Sequence, residues 1–419
     1  MEVLEDTYKD TKIGSIPKDW DTLKINQVAD CYGGTTPSTV VEEYWNGDIL
    51  WATPSDITKN KSEYLLNTSR KITEQGRASK NLRFVKKNGL LMTSRASIGF
   101  LNISNGDVVT NQGFINIECK NNFHYKFFYY WVLDNRKKLL SLSQGSTFLE
   151  LYRKTFAKIN IPAPPLPEQQ KIAAILSTVD EQISTTDKII EKSKELKKAL
   201  MQKLFSEGIG HTEFKDTKIG RIPKDWEVNR LDNWLELITY GFTNPMPTVE
   251  NGPFMVSAAD VKNGKIQYDT CRKTSNEAFE TKISKKSKPI IGDVLLTKDG
   301  TLGRVGLVTK ENLCITQSIA LLRPKNIGCI FLTYLLASPY YQNRMIRDAG
   351  GSTIKHIYIT VVNKMKVAIP SIDEQQKIAD ILSEADAKIE KEQTQKLQLE
   401  ALKKGLMQQL LTGKKRVKV

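Results

Sequence analysis

The sequence predicts an α+β protein: two globular domains joined and separated by two long α-helices that pair as an antiparallel coiled coil. Three observations lead there: an internal repeat covering nearly the whole chain, a long segment in each repeat with coiled-coil spacing, and strand-rich stretches between them. The repeat is read directly. Asp10–Trp20 (DTKIGSIPKDW) returns as Asp216–Trp226 with one change, an offset of 206 residues. Glu168–Ser177 returns as Glu374–Ser383 at the same offset, again with one change. Leu200-Met201-Gln202 recurs as Leu406-Met407-Gln408, and Gly145-Ser146-Thr147 as Gly351-Ser352-Thr353. The interiors, 27–144 and 233–350, match only in places: Thr93–Gly99 faces Thr297–Gly303 at offset 204, and Asn111-Gln112 faces Thr316-Gln317 at 205. Uniform drift would wear edges and interiors alike. Edges that stay alike around unlike interiors predict that the edges bind one thing twice and the interiors bind different things.

Taken in order, residues 1–167 form the first globular domain. Gly47–Thr53 is a short β-branched and aromatic run bounded by turn residues, the mark of a strand. The aromatic stretch Tyr125–Leu142 reads as helix packed on a sheet. The proline-rich Ile161–Pro167 can continue neither helix nor central strand, so it marks a boundary. Residues 168–206 are the first spacer helix. From Glu168 to Phe205 there is no Gly or Pro, and Ile172, Leu176, Val179 and Ile183 fall at alternating steps of four and three. Ile190, Leu196, Leu200 and Leu204 extend the seam. Residues 207–372 form the second domain, with strands at Phe254–Ser257 and Gly292–Thr297 and a helical stretch at Ile330–Ile346. Residues 373–412 are the second spacer helix, with Ile378, Leu382, Ala385 and Ile389, then Leu399, Leu402, Leu406 and Leu410. Residues 413–419 read as a basic tail. So long and narrowly apolar a helix needs a partner, and its own copy is the expected one.

Composition narrows the function. At 40% hydrophobic and 26% charged residues the chain is an ordinary globular one. Its net charge of +15 favours a polyanion, nucleic acid before membrane. The longest apolar runs are far below the ~20 residues a bilayer span needs, and the acidic start lacks a secretory core. Five scattered cysteines without a CxxC pair read as buried thiols of a reducing, cytoplasmic compartment. None of His124, His211 and His356 has metal-ligand spacing, so each is expected at the surface or packed, and no metal site is expected.

Catalytic signatures are missing. Asn244-Pro-Met-Pro247 lacks the aromatic of a base-extruding methyltransferase loop. Gly33-Gly-Thr-Thr-Pro37 has glycines without the lysine of a phosphate loop. Asp269…Glu280-Thr-Lys282 is a nuclease-like string that chance supplies in any basic chain. These absences point to a binding subunit with no catalytic residues.

The residues that remain resemble the DNA specificity subunits of type I restriction-modification systems. The resemblance is carried by Gly14–Trp20 and Gly220–Trp226 opening each unit, by Gly34–Ser38 and Gly145–Phe148 within the first, and by Pro164–Ala173 and Pro370–Ala379 opening the helices. It departs at Gly241–Pro245, where the first interior has its Gly-Gly-Thr-Thr-Pro loop. The resemblance implies two target-recognition domains, each reading one half of a split, asymmetric double-stranded DNA site. It implies that the helices set the spacing and dock two modification subunits, which restriction subunits join. This chain would bind no cofactor. S-adenosylmethionine, ATP and Mg²⁺ would sit on the partners.

Short polar residues on Gly/Pro-flanked loops are the candidate DNA contacts. In the first interior these are Thr36, Ser38, Thr53, Ser55, Asp56, Ser94, Arg95, Ser97 and Gln112, with Ser146 and Thr147. In the second they are Asn244, Lys298, Asp299, Thr301, Arg304 and Gln317, with Ser352, Thr353 and Lys355. Arg95 is the foremost, because a guanidinium pairs bidentately with guanine. Two other readings stay open at this point: a self-sufficient restriction or methyltransferase enzyme with an unrecognised site, and a coiled-coil scaffold that binds only protein.

Overall fold

The computed structural model describes residues 8–145, 149–350 and 355–418. The chain divides into two compact units. One comprises residues up to Asp187 together with Gln395 onward; the other is Lys188–Thr394. Both boundaries fall inside the long helices, so each unit holds one α+β globule and one half of each helix.

The first unit opens with the hairpin Tyr8–Thr11/Gly14–Pro17, turned at Gly14 with φ of 103°. Its main sheet has five strands in the order Ala29–Tyr32, Phe114–Cys119, Leu90–Thr93, Leu101–Ser104, Tyr64–Leu65. A second sheet places Trp45–Ala52 between Val108–Thr110, parallel to it, and Arg70–Ile72, antiparallel. The period of two decides the layers. Leu90 and Met92 join the core that contains Phe127, Phe128 and Trp131 of the helix Tyr125–Asp134, whereas Leu91 packs on the other face with Ala52, Val85 and Phe114.

The second unit repeats this plan with one more strand. Its sheet runs Leu235–Tyr240, Ile319–Pro324, Val294–Thr297, Val305–Leu307, Gly264–Ile266, Val261–Lys262. Val294 and Leu296 face Phe331 and Leu335 of the helix Cys329–Ala337, and Leu295 faces the opposite core. The aromatic stretches expected as helices each break in two, at Asn135 and at Ser338.

The long helices are Leu166–Glu207, 42 residues, and Ile372–Leu410, 39 residues, about 63 and 58 Å at 1.5 Å per residue. The first starts ahead of Glu168 because Pro167 stands in the first turn, where a missing N–H costs nothing. In the first unit Lys403 pairs with Asp180 at 2.6 Å and Lys396 with Asp187 at 2.7 Å. In the second Lys197 pairs with Asp386 at 2.6 Å. Within the first unit the residue numbers of both pairs sum to 583, the signature of antiparallel helices. Ile172, Leu176, Val179, Leu204, Ile378, Leu382, Ile389 and Leu410 are buried, and Ile183, Leu200, Ala385 and Leu406 half-buried. Leu196 and Leu402, expected in the seam, point outward, 58% and 50% exposed. The seven-residue period instead carries Lys197 and Lys403 to the edge of the seam, where each finds an aspartate. No helix among the described residues is long and apolar enough to cross a membrane.

Candidate nucleic-acid interface

The repeated edge motifs lock each globule onto its helices. In the first unit the fully buried Trp20 donates its indole N–H to Glu168 Oε2 at 2.9 Å. In the second, Trp226 donates to Glu374 Oε2 at 3.1 Å. Gln169 accepts from the backbone N–H of His124 and donates to the carbonyl of Pro164; Gln375 does the same with Gly328 and Pro370. Each glutamate also needs a cation or donors. Glu374 takes the backbone N–H of Ile209 at 2.8 Å and lies 3.0 Å from the His211 ring. Glu168 takes Arg416, whose other nitrogens bind Asp19. Those bonds hold the Arg416 guanidinium pKa above its ordinary value and, led by the bond from Arg416, hold the Asp19 carboxyl below its own. The segment after Gly413 is therefore no loose tail as far as Arg416. Gly413 itself, at φ of 73°, lies so close to Pro17 and Trp20 that a Cβ would collide.

The interiors share a loop frame beneath unlike side chains. Thr93 Oγ1 accepts the N–H of Phe100 at 3.1 Å and donates to the Ser97 carbonyl. Thr297 Oγ1 accepts from Arg304 at 2.9 Å and donates to Thr301. Ala96 and Gly300 both take positive φ, 56° and 73°. A second segment braces each loop: the N–H of Leu151 reaches Ser94 O, and the N–H of Ile357 reaches Lys298 O, both at 2.9 Å. Gln144 and Glu150 exchange backbone bonds, as do Gly350 and His356. Across this corner Arg95 pairs with Glu150 at 2.9 Å, and His356 pairs with Asp299, which also takes Lys298 Nζ at 3.0 Å.

Twelve of the twenty predicted contacts fall into three groups. Arg95, Ser97, Asp299, Thr301 and Arg304 gather on the corner loops, with Ser94 and Lys298 buried beneath and Lys355 exposed beside His356. Thr36 and Gln112, 76 residues apart, meet through a 2.6 Å hydrogen bond. Thr53 and Asp56 form a capping box at the start of the helix Pro54–Lys59, and Asp56 also accepts from Ser69. Burial would raise the Asp56 pKa, but those bonds outweigh it and hold the carboxyl down. Ser55, Asn244 and Gln317 are exposed, and the carbonyl of Ser38 accepts from the Trp45 indole. Ser146, Thr147, Ser352 and Thr353 lie outside the described residues. Sequence reasoning passed over Glu150 and His356. The offset of 206 equates Glu150 with His356 and that of 204 equates Arg95 with Asp299, but only the fold brings each brace residue against its loop residue. Among the described residues no group of three or more His, Cys, Asp or Glu could hold a metal.

Comparison with known proteins fits this geometry. The model of the type I restriction modification DNA specificity domain matches residues 17–195 and again 223–401, two spans 206 residues apart at both ends. The chain belongs to that family. It is 31% identical over 430 residues to the type I restriction enzyme MjaIX specificity subunit of Methanocaldococcus jannaschii, covering 99% of this chain and 97% of that one. It is 27% identical to the EcoBI specificity subunit of Escherichia coli over 64% of this chain and 60% of that one. Two solved structures share the fold at 16% identity. One, titled for complex assembly and conformational transition of the type I R-M system, gives a TM-score of 0.60 over 95% of this chain and 99% of that one. The other, a type I S subunit from M. genitalium, gives 0.54 over 93% and 96%. As a type I specificity subunit, the chain is a non-catalytic component; the enzyme reading is set aside.

Proposed function

We propose that each globule reads one half of a bipartite, asymmetric DNA site through its corner loop, and that the two long helices fix the spacing between the halves. The observation that carries this is the contrast within the repeat. The clamp residues Trp, Glu and Gln are the same in both units, whereas the shared loop frame presents Arg95 in one and Asp299 in the other. Lysines and arginines supply a salt-dependent grip on phosphates. Short polar groups and Arg95 read base edges in the major groove. The matched rods dock two modification subunits, which carry S-adenosylmethionine, and restriction subunits that use ATP and Mg²⁺ join them. The assembly works in the cytoplasm.

Replacing Arg95 by Ala tests the reading. It is expected to cost about 1–3 kcal/mol on the cognate site and little elsewhere. Equal weakening on every sequence would make Arg95 a phosphate contact. DNA binding without sequence preference, in the presence of modification subunits, would overturn the proposal.

A further inference from the structure

We infer that the pairs Arg95–Glu150 and His356–Asp299 are the specificity-determining pairs of the two domains, and that the move of the carboxylate from brace to loop makes equivalent positions of the two half-sites demand different bases. The inference rests on the DNA-reading role proposed above and adds to it Glu150, His356 and a rule of choice.

The two pairs occupy the same place. Arg95 and Asp299 each follow the residue whose carbonyl receives the bracing bond, and Glu150 and His356 each sit in the bridged position of the bracing segment. The carboxylate changes place: it is on the brace in the first unit, as Glu150 facing Arg95, and on the loop in the second, as Asp299, which meets the His356 ring of the brace and Lys298 Nζ of its own loop. A pair that only pinned the loop would work in either order, so pinning gives no reason for the move. A carboxylate on a phosphate-facing surface weakens binding unless a base donates to it. It can only accept, so it suits the exocyclic amine of cytosine or adenine and repels guanine O6 and thymine O4. A guanidinium does the opposite and suits guanine O6 and N7.

All four side chains are partly open, between 26% and 46% exposed. In the second unit His356 and Lys298 line a cavity of about 230 Å³ with the half-exposed Tyr240 and Tyr358. The base facing Arg95 is therefore guanine, and the base facing Asp299 at the equivalent position carries an amine.

The test uses the intact chain with its modification subunits. Methylation motifs are mapped for wild type and for R95Q, E150Q, D299N and H356Q, and binding is competed with duplexes changed at single positions. D299N and H356Q are expected to relax one base position of one half-site, with discrimination there falling about 5- to 150-fold. R95Q and E150Q should do so in the other half-site only. A two-part wild-type motif that stays unchanged in all four variants overturns the inference alone. So does a uniform loss on every sequence, or four variants that all unfold by circular dichroism, since the pairs would then be structural. A wild-type chain that directs no two-part motif overturns both the reading and the inference.

Discussion

Removing Arg416 should loosen one unit and spare the other. Its guanidinium makes two bonds to Glu168, at 2.8 and 2.9 Å, and two to Asp19, at 2.8 and 2.7 Å. The Asp19 pair lies in solvent and contributes little. The Glu168 carboxylate is only 3% exposed, and without Arg416 it keeps the Trp20 indole as its partner. Uncovering a buried charge costs about 3–5 kcal/mol when both partners are buried. Arg416 itself is 42% exposed, so water can replace part of it and about 2 kcal/mol is the better figure. For a unit of roughly 200 residues that is a fall in Tm of about 4–8 °C. Differential scanning calorimetry of the R416A chain should show the transition of the unit containing Trp20 shifted, and the other unchanged. H211A should do the reverse. Adding Glu168→Gln to R416A should recover part of the loss, because the stranded charge is gone. If R416A shifts neither transition by more than about 1 °C, or E168Q fails to rescue it, the clamp does not act as described.

Other perturbations follow from the same geometry. Asp19 has a folded pKa below its ordinary 3.8, so its share of stability is full above that value and drains away as pH falls through the lower one. The Tm difference between wild type and D19N should vanish on strong acidification; a difference that persists would refute the assignment. Leu176→Ala opens a cavity where the first helix packs into the core of the first globule, at a fully buried position, and should cost about 2–5 kcal/mol in urea unfolding. Ala96→Gly relieves a positive φ and should stabilise the first unit by up to about 1 kcal/mol by calorimetry; a lowered Tm would refute the assignment of strain to Ala96. Inserting four residues after Asp187 and four after Thr394 keeps the register of the paired helices while lengthening both. Motif mapping should then show a longer gap between unchanged half-sites, whereas insertion in one helix alone should disrupt assembly.

Much of the fold was legible because it is periodic or repeated. Ile172 to Ile183 were visible as steps of four and three; they are buried or half-buried, Ile172 and Leu176 within the core of the first globule. Leu196 was misplaced because leucine alone suggests a seam position; the heptad put Lys197 there, and only the facing Asp386 makes a lysine acceptable. The edge motifs were expected to bind one thing twice. The structure adds a cause inside the chain: Trp20 meets Glu168, and Trp226 meets Glu374, each 148 residues away.

The site was less legible. Arg95 and Asp299 could be chosen as polar loop residues, but nothing local to them names Glu150 or His356. Thr53 and Asp56 looked like free polar groups and prove to be partners in a cap.

By itself, then, the amino-acid order determined the duplication, the helices and their seam, and the absence of known catalytic motifs, since each is a pattern within a short window or at a constant offset. Folding alone decided which charges meet. The clamp of Glu168 by Arg416, 248 residues on, and the change of place of the carboxylate between the two corners depend on segments brought together by the core. Hydrogen bonds are lost beyond about 3.5 Å and salt screens exposed charges over about 10 Å, and separation along the chain carries no information about that distance.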